Sequence, residues 1–186
     1  MILRGLFLLA RGRKSGINEF SGAMDAFTAS LAPLIAFPLV GAGLSAMSGQ
    51  WAFALLGLFS RICAVLALPV IVYEFARRTG REALWLRTAT ALDWAFWMLL
   101  PVLFVAAFAA AMIVQFGLGM DQAEIGVLVV SGVYLLWYHW FIMRAGLSLS
   151  GLQALGLLLF SSLVIAALSA APVLVFPQLY VQAIQF

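Results

Sequence analysis

The chain contains one histidine, His139, in an otherwise apolar and aromatic run, YLLWYHWFIMRAG. An imidazole titrates near neutral pH, so this side chain could relay protons or sense pH. It could also be a structural anchor that is held by hydrogen bonds. Helical spacing puts Tyr134, Trp137 and Phe141 on one stripe and His139 on the opposite side. We therefore expect the aromatic rings to face lipid, His139 to face the protein interior, and its role to be structural.

Two carboxylates fall near the depth that is predicted for His139. Asp93 lies six residues after Arg87, and His139 lies five residues before Arg144. At a helical rise of about 1.5 Å per residue, both are within about 9 Å of a basic helix end. A polar group inside a membrane is costly unless it has a partner. The sequence therefore predicts that Glu74, Asp93 and His139 form a polar layer near one membrane face.

Metal binding and catalysis are the weaker interpretations of these polar residues. One histidine with two carboxylates could bind a metal ion, but no cysteine cluster supports a structural metal site. GLSAMSG at 43–49 and GLSLSG at 146–151 are similar to the Gly-x-Ser start of membrane serine proteases. Neither has a glycine directly after that serine. We expect no catalytic residue, no metal and no cofactor, which leaves an intramembrane enzyme as the third interpretation.

Arg61 is a charge in the middle of an apolar stretch, WAFALLGLFSRICAVLALPVIVY. A guanidinium near the middle of a bilayer costs about 3 kcal/mol or more. Its long side chain could extend toward the outer side and pair with Asp121 or Glu124. Alternatively, it binds an anionic solute or a lipid headgroup in a cavity. We slightly favour the ion pair.

The composition indicates that lipid is the main solvent of this chain. Hydrophobic residues make up 66% of it and charged residues 9%, whereas soluble domains have roughly a quarter charged residues. The mean hydropathy is +1.13. The net charge of +3 is too small and too scattered to indicate nucleic-acid binding, and the single cysteine, Cys63, excludes an intrachain disulfide.

Five apolar stretches reach the length of about 20 residues that a membrane-spanning helix needs. They predict an all-α fold, an integral membrane bundle of five transmembrane helices in a single membrane domain, 1–186. The predicted spans are 27–47, 51–75, 88–116, 125–144 and 152–171.

Both ends of the chain are predicted to lie at a membrane surface. Residues 1–26 form an interfacial lead segment with an amphipathic helix in the membrane plane, on which Ile2, Leu6 and Leu9 share the apolar side. Residues 172–186 are too short and too rich in proline to cross again. We expect this tail to rest on the outer interface.

Nine of the ten basic residues fall on one side of the five-span arrangement. The links on the other side contain no cation, and one of them contains Asp121 and Glu124. The positive-inside rule then predicts a cytoplasmic N-terminus and an external C-terminus, and the short loops favour the inner membrane of a bacterium. The cations expected to contact anionic phospholipids are Arg4, Arg11, Arg13, Lys14, Arg77, Arg78 and Arg81, and Arg87 and Arg144 lie on the same side.

The span layout, with YLLWYHWFIMRAGLSLSGLQALGLLL at 134–159 and EFSGAMDAFTASLAPLIAFPLV at 19–40, resembles the Yip1-like family of membrane proteins. The resemblance implies five spans and a non-enzymatic, membrane-organising or adaptor role through contacts with lipids and proteins. The protein partner would be another membrane protein or a second copy of the chain. The alternative is a small transporter or permease subunit that uses Arg61 and the predicted polar layer.

Overall fold

The structure, a computed structural model, describes residues 2–117 and 119–178, and every regular element within these ranges is helical. Short 3₁₀ turns follow the first helix and flank the fourth. The α-helices are α1 Ile2–Ala10, α2 Met24–Met47, α3 Trp51–Arg78, α4 Trp85–Ala95, α5 Leu99–Val114, α6 Met120–Gly146 and α7 Gly151–Val175.

In the described part of the chain, five helical segments are long and apolar enough to cross a membrane, and they coincide with the five predicted stretches. Four of them are α2, α3, α6 and α7. The fifth, Glu82–Val114, contains α4 and α5, which the 3₁₀ turn Phe96–Met98 joins. The observed ends differ from the predicted ones by a few residues, as expected when boundaries are read from hydropathy.

The last helix is longer than predicted, because α7 continues through Pro172 to Val175. The first residues of the expected interfacial tail are therefore helical, while residues 179–186 lie outside the described part of the chain. Proline lacks the N–H that would bond to the carbonyl four residues earlier. Here that carbonyl, Leu168 O, accepts a hydrogen bond of 2.8 Å from the Ser60 hydroxyl of α3. The neighbouring helix thus compensates for the lost backbone donor.

The helices bury their side chains chiefly at one end of the bundle. We define the inner end as the end at which α2 and α4 begin and α3 and α6 end, and the outer end as the opposite one. α3 packs between α2 and α7, α4 packs on α2 and α6, and α5 packs along α6. The buried apolar cluster at the inner end includes Leu6, Leu9, Phe20, Val72, Leu92, Tyr138, Ile142, Met143, Leu147 and Leu157.

Helix α1 is part of this inner core. Its apolar side was expected to face the membrane, and it packs against the protein instead. Leu6 and Leu9 are buried against the protein, while Leu3 and Phe7 are exposed. The 3₁₀ turn that follows, Lys14–Glu19, folds back on α1. The two segments touch because Gly16 has no side chain: a Cβ there would lie 2.7 Å from the Gly5 carbonyl oxygen. The expected position in the membrane plane stays a prediction.

The outer part of the bundle leaves large apolar side chains uncovered. No residue of α5 is buried. Exposed examples from four helices are Phe59, Phe104, Leu128 and Leu163, each at least 66% exposed. An apolar surface of this extent is typical of helices that are solvated by lipid.

Candidate functional site

Asp93 is the most deeply buried charged residue among those the structure describes, at 3% exposure. Its carboxylate accepts a hydrogen bond of 2.8 Å from the hydroxyl of Ser30, which is 1% exposed. The Phe27 carbonyl lies 2.7 Å from the same hydroxyl within α2, so the single Ser30 proton is shared between these two acceptors. Ser30 therefore links α2 to α4 through the one buried carboxylate in their interface.

His139 is bonded within its own helix. Its Nδ1 lies 2.8 Å from the carbonyl oxygen of Leu135, one turn earlier in α6, so the N–H at Nδ1 donates to that oxygen. The ring also meets Tyr138 edge-on, with centroids 6.2 Å apart. The imidazole is half-buried and, within the described chain, bonds to no carboxylate. This arrangement is that of an anchored polar side chain.

The predicted polar layer of Glu74, Asp93 and His139 is wrong, because each group has a separate partner. Glu74 lies at the inner end of α3 and forms ion pairs of 2.9 Å with Arg77 and 2.8 Å with Arg78. These arginines follow it by three and four residues, the spacing at which helical side chains meet. Asp93 bonds to a serine and His139 to a backbone carbonyl. The three side chains were predicted at similar depths along their helices, but they do not bond to one another.

Tyr134 and Phe141 of the aromatic stripe of α6 face the protein, which corrects their expected lipid-facing orientation, whereas Trp137 is exposed. The Tyr134 hydroxyl donates to Ala10 O at 2.8 Å, and the Tyr138 hydroxyl donates to Leu6 O at 3.2 Å. Phe141 is 7% exposed. Ala10 is the last residue of α1, and the last carbonyls of a helix have no partner within it, so the Tyr134 phenol can satisfy this one. The sequence offered one indication of this contact: a buried tyrosine hydroxyl needs a hydrogen-bond partner, which lipid tails cannot provide.

Arg61 lies in a groove of about 280 Å³ between α2, α3 and α7. The guanidinium reaches α2, where a Cβ at Gly41 would be 3.3 Å from its Nη1. Within residues 2–117 and 119–178 it forms no hydrogen bond and no ion pair, so the expected pairing with Asp121 or Glu124 is wrong. Glu124 instead lines a separate cavity between α5 and α6, away from the helices that enclose Arg61. Three serines line the Arg61 groove: Ser45, which belongs to the stretch GLSAMSG, and Ser60 and Ser169, which were not singled out from the sequence.

The remaining predicted site residues are cations of the inner end. Arg4 is exposed and lies 3.5 Å from Glu19. Arg11 stacks over the Phe7 ring at 5.5 Å. Arg13 and Lys14 are exposed in the turn after α1, and Arg81 lies in the link between α3 and α4. These positions form a basic surface around the inner end.

Neither a metal centre nor a similarity identifies the activity of the site. In the described part of the chain, no three His, Cys, Asp or Glu side chains are grouped so that they could bind a metal ion. Comparison of the chain with protein-family models, curated proteins and solved structures found no match. The function is therefore argued from the chemistry and positions of the residues themselves.

Proposed function

We propose that this chain is a five-span integral membrane protein that acts without catalysis, through contacts with lipids and with other membrane proteins. One observation supports the proposal: the surface is divided into an exposed apolar part along the helices and a basic inner end. Nine of the ten cations belong to the inner end, and the acidic Asp121 and Glu124 begin α6 at the outer end. Such a division suits a bundle whose apolar part lies in lipid and whose cations meet anionic headgroups.

The positive-inside rule makes the inner end cytoplasmic in this proposal. The N-terminus then lies inside and the C-terminus outside, in the inner membrane of a bacterium. A membrane-organising or adaptor role like that of Yip1-like proteins is part of the same proposal. Its support is the five-span layout together with the helix that precedes the first span.

The proposal is tested by measuring the lipid that surrounds the protein. The protein is reconstituted in vesicles of phosphatidylcholine with a minor fraction of phosphatidylglycerol, and the lipids extracted with it are quantified. We expect phosphatidylglycerol to be enriched around the wild type. Replacing Arg11, Arg13 and Lys14 together with glutamine should reduce the enrichment, because each cation near an anionic surface contributes about 1 kcal/mol.

The matched control for that triple variant carries Asp121→Asn and Glu124→Gln, which change charge only at the outer end. It should enrich phosphatidylglycerol at least as strongly as the wild type. Equal enrichment in the wild type and the triple variant would show that the basic inner end does not select anionic lipid.

A small transporter or permease subunit is a second candidate, and Arg61 is the observation in its favour. An arginine without a carboxylate partner in a groove between apolar helices is a feature of anion-binding sites in membranes. The other half of that hypothesis, the inner polar layer, is not formed. Solute uptake into proteoliposomes that Arg61→Ala abolishes would favour transport, whereas co-purification of a stable membrane-protein partner would favour the adaptor role.

A further inference from the structure

We infer that the groove around Arg61 is a binding site for one phosphate-bearing anion, taken either from a lipid headgroup or from solution. This site is separate from the basic inner end and lies in the other half of the bundle. Its described wall consists of residues of α2, α3 and α7, and among these Arg61 is the only charged one. The inference therefore goes beyond the lipid contacts that are proposed for the inner end.

The charge of Arg61 needs a counter-ion. Among the described residues, no carboxylate lines the groove and none pairs with the guanidinium. Arg61 is exposed in this groove between apolar helices, where a cation at membrane depth is costly and a bound anion offsets that cost. A guanidinium presents its N–H donors in a planar fork that matches two oxygens of a phosphate, which a chloride ion cannot offer.

Additional donors line the same groove. The groove contains the hydroxyls of Ser45, Ser60 and Ser169. Ser60 already donates to Leu168 O. Ser45 and Ser169 use their hydroxyls in no hydrogen bond within the part of the chain that the structure describes. Together with Arg61 they offer donors from all three helices that form the groove.

The groove has room for such a group because its walls are built from small residues. Gly41 and Ala42 belong to α2, and Gly57 lies one turn before Arg61 on α3. The volume of about 280 Å³ equals roughly nine times the share of one liquid water molecule. A phosphate group with part of its hydration shell fits within that space.

The position of the groove indicates how the anion enters. Its lining continues from Arg61 along α3 to Phe53, a rise of about 12 Å toward the outer end. On α2 it reaches Ser45, close to the outer end of that helix. The anion therefore enters from the outer side, where lipid headgroups and dissolved anions are both available.

The test compares two probes, phosphatidylglycerol and inorganic phosphate, on the purified full-length protein. Retention of phosphatidylglycerol is measured by native mass spectrometry, and binding of inorganic phosphate by titration in phosphatidylcholine nanodiscs. We expect the wild type to bind one equivalent of one probe. Arg61→Gln should weaken that binding about tenfold or more, the effect of losing hydrogen bonds from a charged group.

Gly57→Leu is the second variant, because it fills the groove and keeps the arginine. A Cβ at Gly57 meets no atom within 4 Å, and leucine favours a helix more than glycine does, so this variant is expected to fold. It should weaken binding as strongly as Arg61→Gln. Arg81→Gln, which removes a cation at the inner end, is the matched control and should leave this binding unchanged.

The outcomes separate the two sources of the anion and also test the site itself. Loss of phosphatidylglycerol retention in both groove variants supports a headgroup site, and loss of inorganic phosphate binding in both supports a site for a dissolved anion. The inference is overturned if neither probe binds or if binding is unchanged in both variants. It is also overturned if Gly57→Leu binds normally, or if Arg81→Gln loses as much binding as Arg61→Gln.

Discussion

At the scale of single residues, the contact between Ser30 and Asp93 is the one with the largest expected effect on stability. It joins two helices through a carboxylate that has no other hydrogen-bond donor within the described chain, and both side chains are at most 3% exposed. A buried charged group that loses its partner costs more than an exposed one. Ser30, which nothing in the local sequence distinguishes, therefore offsets part of the free-energy cost of burying the Asp93 carboxylate.

Ser30→Ala is expected to lower the free energy of unfolding by about 1–3 kcal/mol, because Asp93 loses its hydrogen-bond donor. Denaturant-induced unfolding in detergent, followed by tryptophan fluorescence, measures this change. The variant keeps the helix, since alanine has the best helix propensity.

Ser161→Ala is the matched control for that substitution. Ser161 is 1% exposed, and its hydroxyl donates to Leu158 O three residues earlier, as Ser30 does to Phe27 O. Ser161 has no carboxylate partner, so its replacement should cost clearly less. Equal losses in the two variants would mean that the bond to Asp93 contributes nothing.

The sequence identified the polar residues that need partners but did not identify the partners. Asp93, His139 and Arg61 stood out because each interrupts an apolar stretch. Counting residues gives depth along a helix, but it does not give the rotation of the helix or its neighbours. Ser30 precedes Asp93 by 63 positions, and nothing in the local pattern links the two. The separate partners of Glu74 and His139 could not be predicted for the same reason.

At the scale of helices, α1 and α6 form a unit that hydropathy alone does not predict. The length and apolarity of α6 predict a long helix, and the structure contains one. The leucines of α1 suit a lipid surface and a protein core equally well, so the pattern did not decide between them. The hydroxyls of Tyr134 and Tyr138 bond to backbone carbonyls of α1 and thereby hold this helix against the protein core.

Replacing Tyr134 and Tyr138 together with phenylalanine is expected to loosen α1. Both rings stay, but two backbone carbonyls of α1 lose a donor. Amide hydrogen exchange over residues 2–10 should become several-fold faster, because local opening is governed by the contacts of the opening unit. Mass spectrometry of peptic fragments measures the rate.

Tyr73→Phe is the control, since that hydroxyl bonds to Glu82 at the surface and not to α1. It should leave exchange over residues 2–10 unchanged. If the double variant also exchanges at the wild-type rate, α1 is held by its buried leucines alone.

At the scale of the whole molecule, the exposed apolar side chains indicate where lipid would begin and end. On α6 they extend from Met120 to Trp137, a rise of about 26 Å, close to the hydrocarbon thickness of about 30 Å. Beyond Trp137, Tyr138 and Ile142 turn into the inner core. We therefore expect the inner end of α6, including His139, to lie at the membrane interface.

The orientation of the molecule is tested with single cysteines in a Cys63→Ala background. Ser15 lies at the inner end and Gln122 at the outer end, and both are exposed. With a cytoplasmic inner end, a membrane-impermeant maleimide should label Gln122→Cys in intact cells. It should label Ser15→Cys only after the membrane is permeabilised, because the positive-inside rule keeps the cations near Ser15 on the cytoplasmic side.

Two further cysteines separate an error of orientation from an error in the number of spans. Thr79→Cys follows α3 at the inner end and should behave like Ser15→Cys, while Ser48→Cys in the turn after α2 should behave like Gln122→Cys. If all four patterns are reversed, the five spans stand and the inner end is external. If Ser15→Cys and Gln122→Cys are labelled from the same side, the chain does not cross between them an odd number of times. Five crossings, and the lipid contacts that depend on them, would then be wrong.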